Sequence, residues 1–131
     1  MTIGILLVTH GQFGHSLVQN AADVLNRELT QVAALGLSPQ DDPRDLMPQA
    51  TRLLASVDAG DGVLVLTDIW GASPANLATR LLAGGSVEGV AGVNLPMLLR
   101  ALTYREKGMP TLLNKTVSGG RDGVLKMHRG G

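Results

Sequence analysis

Ile3-Gly4-Ile5-Leu6-Leu7-Val8-Thr9-His10-Gly11 is the stretch on which the architecture turns. Ile3 to Val8 form an unbroken apolar run, the pattern of a strand buried on both faces. The run leads into Thr9-His10-Gly11, and a helical pattern starts beyond it at about Gly14. Open α/β sheets place their chemistry at the carboxyl ends of such strands, where His10 stands. Gly11 relieves crowding, so that the strand turns sharply and leaves the imidazole open to a partner. Position alone also allows a plainer reading, in which His10 is merely a polar residue ending a strand.

Outward from this stretch, strands and helices alternate. Leu17, Val18, Ala21, Ala22 and Leu25 recur at helical spacing and predict an amphipathic helix from about Gly14 to Asn26. Val32 to Leu37 reads as a second strand, although its alanines and glycine are weak strand formers. Asp42-Pro43 has the form of an N-cap followed by proline in the first turn, with Leu46, Met47, Ala50, Leu53, Leu54 and Val57 as the buried stripe. Pro48 within it either kinks that helix or moves its start downstream. After the Gly60-Asp61-Gly62 turn, Val63 to Leu66 is another buried strand, running into Thr67-Asp68-Ile69-Trp70-Gly71-Ala72-Ser73-Pro74. Ser73-Pro74 reads as cap plus first helical residue, and Gly84-Gly85 stops that helix. Val87 to Val93 is a strand thinned by two glycines, and Asn94-Leu95-Pro96 opens a helix reaching about Tyr104. A further short helix runs from Pro110 to a stop at Ser118-Gly119-Gly120, and Gly123 to Met127 has the length of a short strand.

This alternation implies right-handed crossovers and a parallel sheet covered on both faces. The expected fold is a small doubly wound α/β domain over residues 1–131, with strand order 2-1-3-4. That order puts His10 and Asp68 at the carboxyl ends of neighbouring strands, flanking the point where the winding direction reverses.

Bulk composition narrows the partners. Aromatic residues make up only 2% of the 131 residues, against 44% apolar, which argues against stacking nucleic-acid bases on rings. Eleven basic residues balance eleven acidic ones, so no global field attracts nucleic acid or an anionic membrane. Cysteine is absent, excluding disulfide and thiolate chemistry. The opening apolar run is too short for a signal core or a membrane span, so a cytoplasmic protein without membrane insertion is expected. No metal-ligand cluster is visible, and the lack of a G-x-x-x-x-G-K-[ST] loop argues against direct use of ATP. No cofactor is called for.

A histidine beside a carboxylate is an activated pair: the carboxylate fixes the tautomer and leaves the other ring nitrogen as a nucleophile. Gly71-Ala72-Ser73-Pro74, opening a helix, supplies free N–H groups and the positive end of a helix dipole, a nest for an anion such as a phosphoryl group. Together these describe a phosphohistidine site, with Gly71, Ala72, Ser73 and Thr9 as phosphoryl-binding candidates. Against this, Asp68 is also a turn-former and Ser73 a plain N-cap. Phe13 is either a partner contact or a helix-start staple. His15 reads as a solvated residue of the first helix, and His128 lies in a basic, glycine-rich tail.

Three motifs, Thr9-His10-Gly11, the D-x-W-G-x-S-P of Asp68 to Pro74, and Gly92 to Leu98 (G-V-N-L-P-M-L), resemble the mannose-type IIA domain of the bacterial phosphotransferase system. The likeness covers nearly the whole chain. It implies that His10 accepts a phosphoryl group on Nε2 from the phosphorylated histidine-phosphocarrier protein while Asp68 orients Nδ1. It also implies a homodimer exchanging a C-terminal antiparallel strand, which segment 123–127 would supply. The family commonly reads D-T-W-G-G-S-P, whereas this chain has Ile69 and Ala72. With no IIB-like domain following, the expected acceptor is a separate IIB-type component or a regulatory target, for sugar uptake or for a stand-alone regulatory IIA. Alternatives are the phosphoryl-donor subunit of dihydroxyacetone kinase, a non-catalytic module that binds a partner according to phosphorylation, and a small-molecule-binding domain.

Overall fold

Four parallel strands carry the molecule, and the computed structural model describes residues 1–130. In chain order the elements are β1 (Gly4–His10), α1 (Phe13–Leu25), β2 (Val32–Leu37), α2 (Pro43–Val57), β3 (Val63–Thr67), α3 (Ser73–Leu81) with a 3₁₀ turn (Leu82–Gly84), β4 (Val87–Ala91), α4 (Leu95–Tyr104) and α5 (Met109–Asp122). The sheet order is β2-β1-β3-β4, every neighbour parallel, as the alternating pattern predicts. Val8 faces Thr67 across the β1–β3 pair, and His10 faces Leu37 across β1–β2.

Because successive side chains of a strand point to opposite faces, β1 feeds two cores. Ile5 and Leu7, with Leu64 and Leu66 of β3, pack under α1, α4 and α5 against Leu17, Ala21, Leu98, Ala101 and Leu112. Leu6 and Val8, with Val63 and Val65, pack under α2 and α3 against Ala50, Val57, Leu77, Ala78 and Leu81. At the end of the sheet away from His10, the buried Arg105 donates to the carbonyls of Ile3, Thr30 and Gln31 at 3.0, 2.9 and 2.8 Å. It thereby ties α4 to the starts of β1 and β2, and its burial lowers its pKa. None of the described helices is long and apolar enough to cross a membrane.

The caps follow side-chain chemistry. Asp42 accepts the N–H of Arg44 at 2.9 Å, so α2 begins at Pro43 and accommodates Pro48 within it. Asn94 accepts the N–H of Met97 at 2.8 Å and donates through Nδ2 to the Gly120 carbonyl at 3.1 Å, tying the start of α4 to the end of α5. β4 stops at Ala91, two residues earlier than expected, because Gly92 and Val93 both turn their N–H groups onto the Thr67 carbonyl.

One expectation needs correction. Ser118-Gly119-Gly120 does not end α5, which continues to Asp122. Those glycines are packing residues: a Cβ on Gly119 would lie 2.5 Å from Cβ of Arg100, so glycine there lets α5 approach α4 this closely, and one on Gly120 would lie 2.6 Å from Cε of Met97, which would have to swing aside. Segment 123–127 forms no strand within the chain, and Val124, Leu125 and Met127 are exposed beyond the helix. A terminal strand of five residues has no stability without a sheet edge to pair with, and this chain alone does not pair it.

Candidate functional site

β1 and β3 deliver His10 and Asp68 to the same place. Where the β1–β3 ladder ends, the Asp68 carboxylate takes the next backbone donor: the His10 N–H donates to Asp68 Oδ2 at 3.0 Å. The His10 ring nitrogen Nδ1 lies 2.8 Å from the same oxygen, and Asp68 Oδ1 accepts its neighbour Ile69's N–H at 3.1 Å. Burial pushes the Asp68 carboxyl up, but the backbone and ring hydrogen bonds from His10 and the bond from its own loop outweigh it and hold the pKa below the ordinary 3.8. An ionised carboxylate has no proton to donate, so the proton shared at 2.8 Å belongs to Nδ1. In the neutral ring Nε2 then carries the lone pair, on a side chain that is 54% exposed while that of Asp68 is only 14% exposed. An oriented base held beneath an open ring is the arrangement of an activated nucleophile.

The loop after β3 lies beside this pair because its strand is the immediate neighbour of β1. Gly71 takes φ +90, a left-handed conformation that suits glycine, and Ala72 follows in an extended conformation at φ −96. Alanine in place of the family's second glycine therefore carries no backbone strain. Ala72, rather than Ser73, occupies the cap position of α3: its carbonyl accepts the N–H of Asn76 at 3.0 Å, and Ser73 is the first helical residue. No side chain caps this helix, and the N–H groups of Gly71, Ala72 and Ser73 find no acceptor among the described residues. They stand with the positive end of the α3 dipole, a setting for an anion.

Thr9 is placed differently from the expectation. Its side chain points to the α1 face, is fully buried, and has its hydroxyl engaged by the Gly14 N–H at 2.8 Å. It lies beneath the site and not in its mouth. The period-two alternation already carried this signal, since Thr9 and His10 are adjacent in a strand. Gly36 was not singled out as a candidate; a Cβ there would collide with the carbonyl of Gly11, so the His10 turn rests directly on β2. Phe13, at the start of α1, and Ile69 and Trp70, in the loop after β3, are exposed apolar side chains close in sequence to the pair. His15 is exposed on α1 and His128 lies in the exposed tail, neither joined to the His10–Asp68 pair. Clefts of about 770 and 450 Å³ open along α1 and at the Arg105 end of the sheet, and neither is lined by His10 or Asp68.

A four-stranded doubly wound domain that presents a carboxylate-oriented histidine at its switch point is thus the class to which this chain belongs. Residues 4–116 match the family described as the PTS system fructose IIA component, and the chain belongs to this mannose/fructose family of phosphotransferase-system IIA components. It is 35% identical over 127 residues to the PTS system mannose-specific EIIAB component of Escherichia coli (strain K12), covering 95% of this chain and 39% of that protein. The chain therefore spans about two fifths of the length of that relative. It is 29% identical over 114 residues to the PTS system fructose-specific EIIA component of Bacillus subtilis (strain 168), covering 86% of this chain and 77% of that one. The mannose/sorbose specific IIA subunit of the Enterococcus faecalis phosphotransferase system shares the fold, with a TM-score of 0.87 at 22% identity over 100% of this chain and 98% of that one.

Proposed function

We propose that this IIA component is a cytoplasmic phosphocarrier: His10 accepts a phosphoryl group on Nε2 from the phosphorylated histidine-phosphocarrier protein and passes it to a IIB-type component for sugar uptake. The observation that carries this is the Nδ1 to Asp68 Oδ2 distance of 2.8 Å beneath an exposed ring. The Nε2 lone pair forms the new N–P bond as the P–N bond to the donor imidazole breaks, and the donor nitrogen leaves with that electron pair. Nδ1 keeps its proton, so the phosphorylated ring gains positive charge, which the Asp68 carboxylate balances. The N–H groups of Gly71, Ala72 and Ser73 receive the phosphoryl oxygens at the start of α3.

An exposed nucleophile outside the large clefts favours a protein donor over a diffusible small molecule, because two protein surfaces must bring their histidines together in line. Exposed Phe13, Ile69 and Trp70 give such a partner an apolar rim to bury. We further propose a homodimer in which segment 123–127 pairs with the free edge of β4 in a second copy, covering its apolar side chains.

The test is incubation with phosphoenolpyruvate, the first enzyme of the system and the carrier protein, followed by intact mass. One phosphoryl group, labile in acid and stable in base, is expected on wild type and on His15→Ala, and none on His10→Ala. Labelling of His10→Ala at a near wild-type rate would overturn the assignment.

A further inference from the structure

The turn between β1 and α1 is closed by one buried hydroxyl. Gln12, at the cap position of α1, makes no side-chain bond to the helix. Instead Thr9 Oγ1 accepts the N–H of Gly14 at 2.8 Å, and the same hydroxyl donates to the His10 carbonyl at 3.3 Å. Thr9 therefore acts as the cap of a helix that begins four residues beyond it, and it grips His10 by its carbonyl. The helix lies directly on it: a Cβ on Gly14 would meet Thr9 Oγ1 at 3.0 Å and Leu7 Cβ at 3.2 Å.

On the opposite face, the His10 N–H and ring are both committed to Asp68 Oδ2. His10 is thus held from two sides, its carbonyl by Thr9 and its N–H by Asp68. With both ends of the residue fixed, the ring has only its side-chain rotations left, and the Asp68 contact selects one of them.

We propose that Thr9 is a positioning residue for His10: its hydroxyl, rather than meeting the phosphoryl group, fixes the turn that keeps the ring on Asp68. Without that hydroxyl the Gly14 N–H loses its acceptor in a buried setting, and the first turn of α1 shifts to find another. The His10 carbonyl moves with it, and the ring leaves the geometry that exposes a bare Nε2. The kinetic part of this inference rests on His10 being the phosphoryl acceptor; the geometric part does not.

The experiment compares Thr9→Val, which keeps the shape and removes the hydroxyl, with Thr9→Ser, which keeps the hydroxyl. Nitrogen-15 spectra of the His10 ring in unphosphorylated protein report which nitrogen carries the proton. Single-turnover phosphoryl uptake from the carrier protein gives the maximal rate and the half-saturating carrier concentration separately. Thr9→Val is expected to lose the predominance of the Nδ1–H tautomer and to transfer about ten- to a hundred-fold more slowly, the scale of a small misplacement of a reacting group. Its half-saturating concentration stays within about twofold of wild type, since no partner contact is removed. Thr9→Ser restores both the spectrum and the rate. A Thr9→Val protein with a wild-type spectrum and rate overturns the proposal, and so does a Thr9→Ser protein as impaired as Thr9→Val. Should Thr9→Val not fold, the spectrum of Thr9→Ser decides, a wild-type tautomer being required. If wild type itself takes up no phosphoryl group, the proposed function fails while the spectra still test the positioning.

Discussion

Replacing Asp68 by asparagine keeps the shape of the side chain and removes the charge beneath His10. In wild type the ring nitrogen lies 2.8 Å from Oδ2. The charge centres of an imidazolium and this carboxylate are then about 4 Å apart, where a unit pair near a protein surface is worth about 4 kcal/mol. The His10 ring is 54% exposed and Asp68 14% exposed, so solvent screens part of this. Setting the pair between a buried and a surface ion pair leaves about 2 kcal/mol of support for the charge that develops as Nε2 is phosphorylated. At 1.36 kcal/mol per decade, about 2 kcal/mol is roughly a 30-fold loss of rate. Asparagine adds a second effect: its amide nitrogen faces the Ile69 N–H in one orientation and the His10 N–H in the other, so one bond that fixes the site is lost either way. In the second orientation the amide also donates to Nδ1 and favours the tautomer in which Nε2 carries the proton and cannot attack. The expected result is a folded protein whose single-turnover phosphoryl uptake is about 30- to 300-fold slower than wild type, within the range of positioned acid–base partners. Rapid-quench measurement with excess phosphorylated carrier reads this directly, with a melting curve to check the fold. A folded Asp68→Asn protein transferring within about threefold of wild type would refute the argument, since neither charge nor tautomer selection would then matter.

Other consequences are measurable by stability and assembly. Because folding depresses the Asp68 pKa below 3.8, its contribution to stability is fully present above that value and is lost as pH falls through the lowered one. Urea unfolding should therefore show the gap between wild type and Asp68→Asn closing as the pH falls from about 5 to below about 4; a gap that widens over that range contradicts the sign. Thr67 is buried with no partner for its hydroxyl, so Thr67→Val is expected to be neutral or up to about 1 kcal/mol stabilising with unchanged phosphoryl uptake. A clear destabilisation would reveal that the hydroxyl is satisfied. Truncation after Gly123, beyond the end of α5, should convert the proposed dimer to monomer in sedimentation while His10 uptake survives; a truncated chain that stays a clean dimer rules out segment 123–127 as the exchanged element.

Much of this was legible in the chain itself. Unbroken apolar runs such as Ile3 to Val8 and Val63 to Leu66 report burial on both faces, and burial on both faces requires a parallel sheet under helices. For an alternating domain of this size the usual order is 2-1-3-4, and with it comes the adjacency of the strand ends bearing His10 and Asp68. Caps at Asp42 and Asn94 were readable because a cap is a local hydrogen bond within two or three residues. What tertiary structure alone decided is where distant groups meet. His10 and Asp68 are 58 residues apart, and no local pattern says that one carboxylate oxygen will take both the N–H and the ring of His10. Gly119 and Gly120 look like a helix stop until α4 lies across them, when the missing side chains become the reason the helix continues. Periodicity records how each segment divides its own residues between core and water. The contacts at strand ends and between helices depend on the distances that the whole packed sheet imposes, and those are set only when every segment is in place.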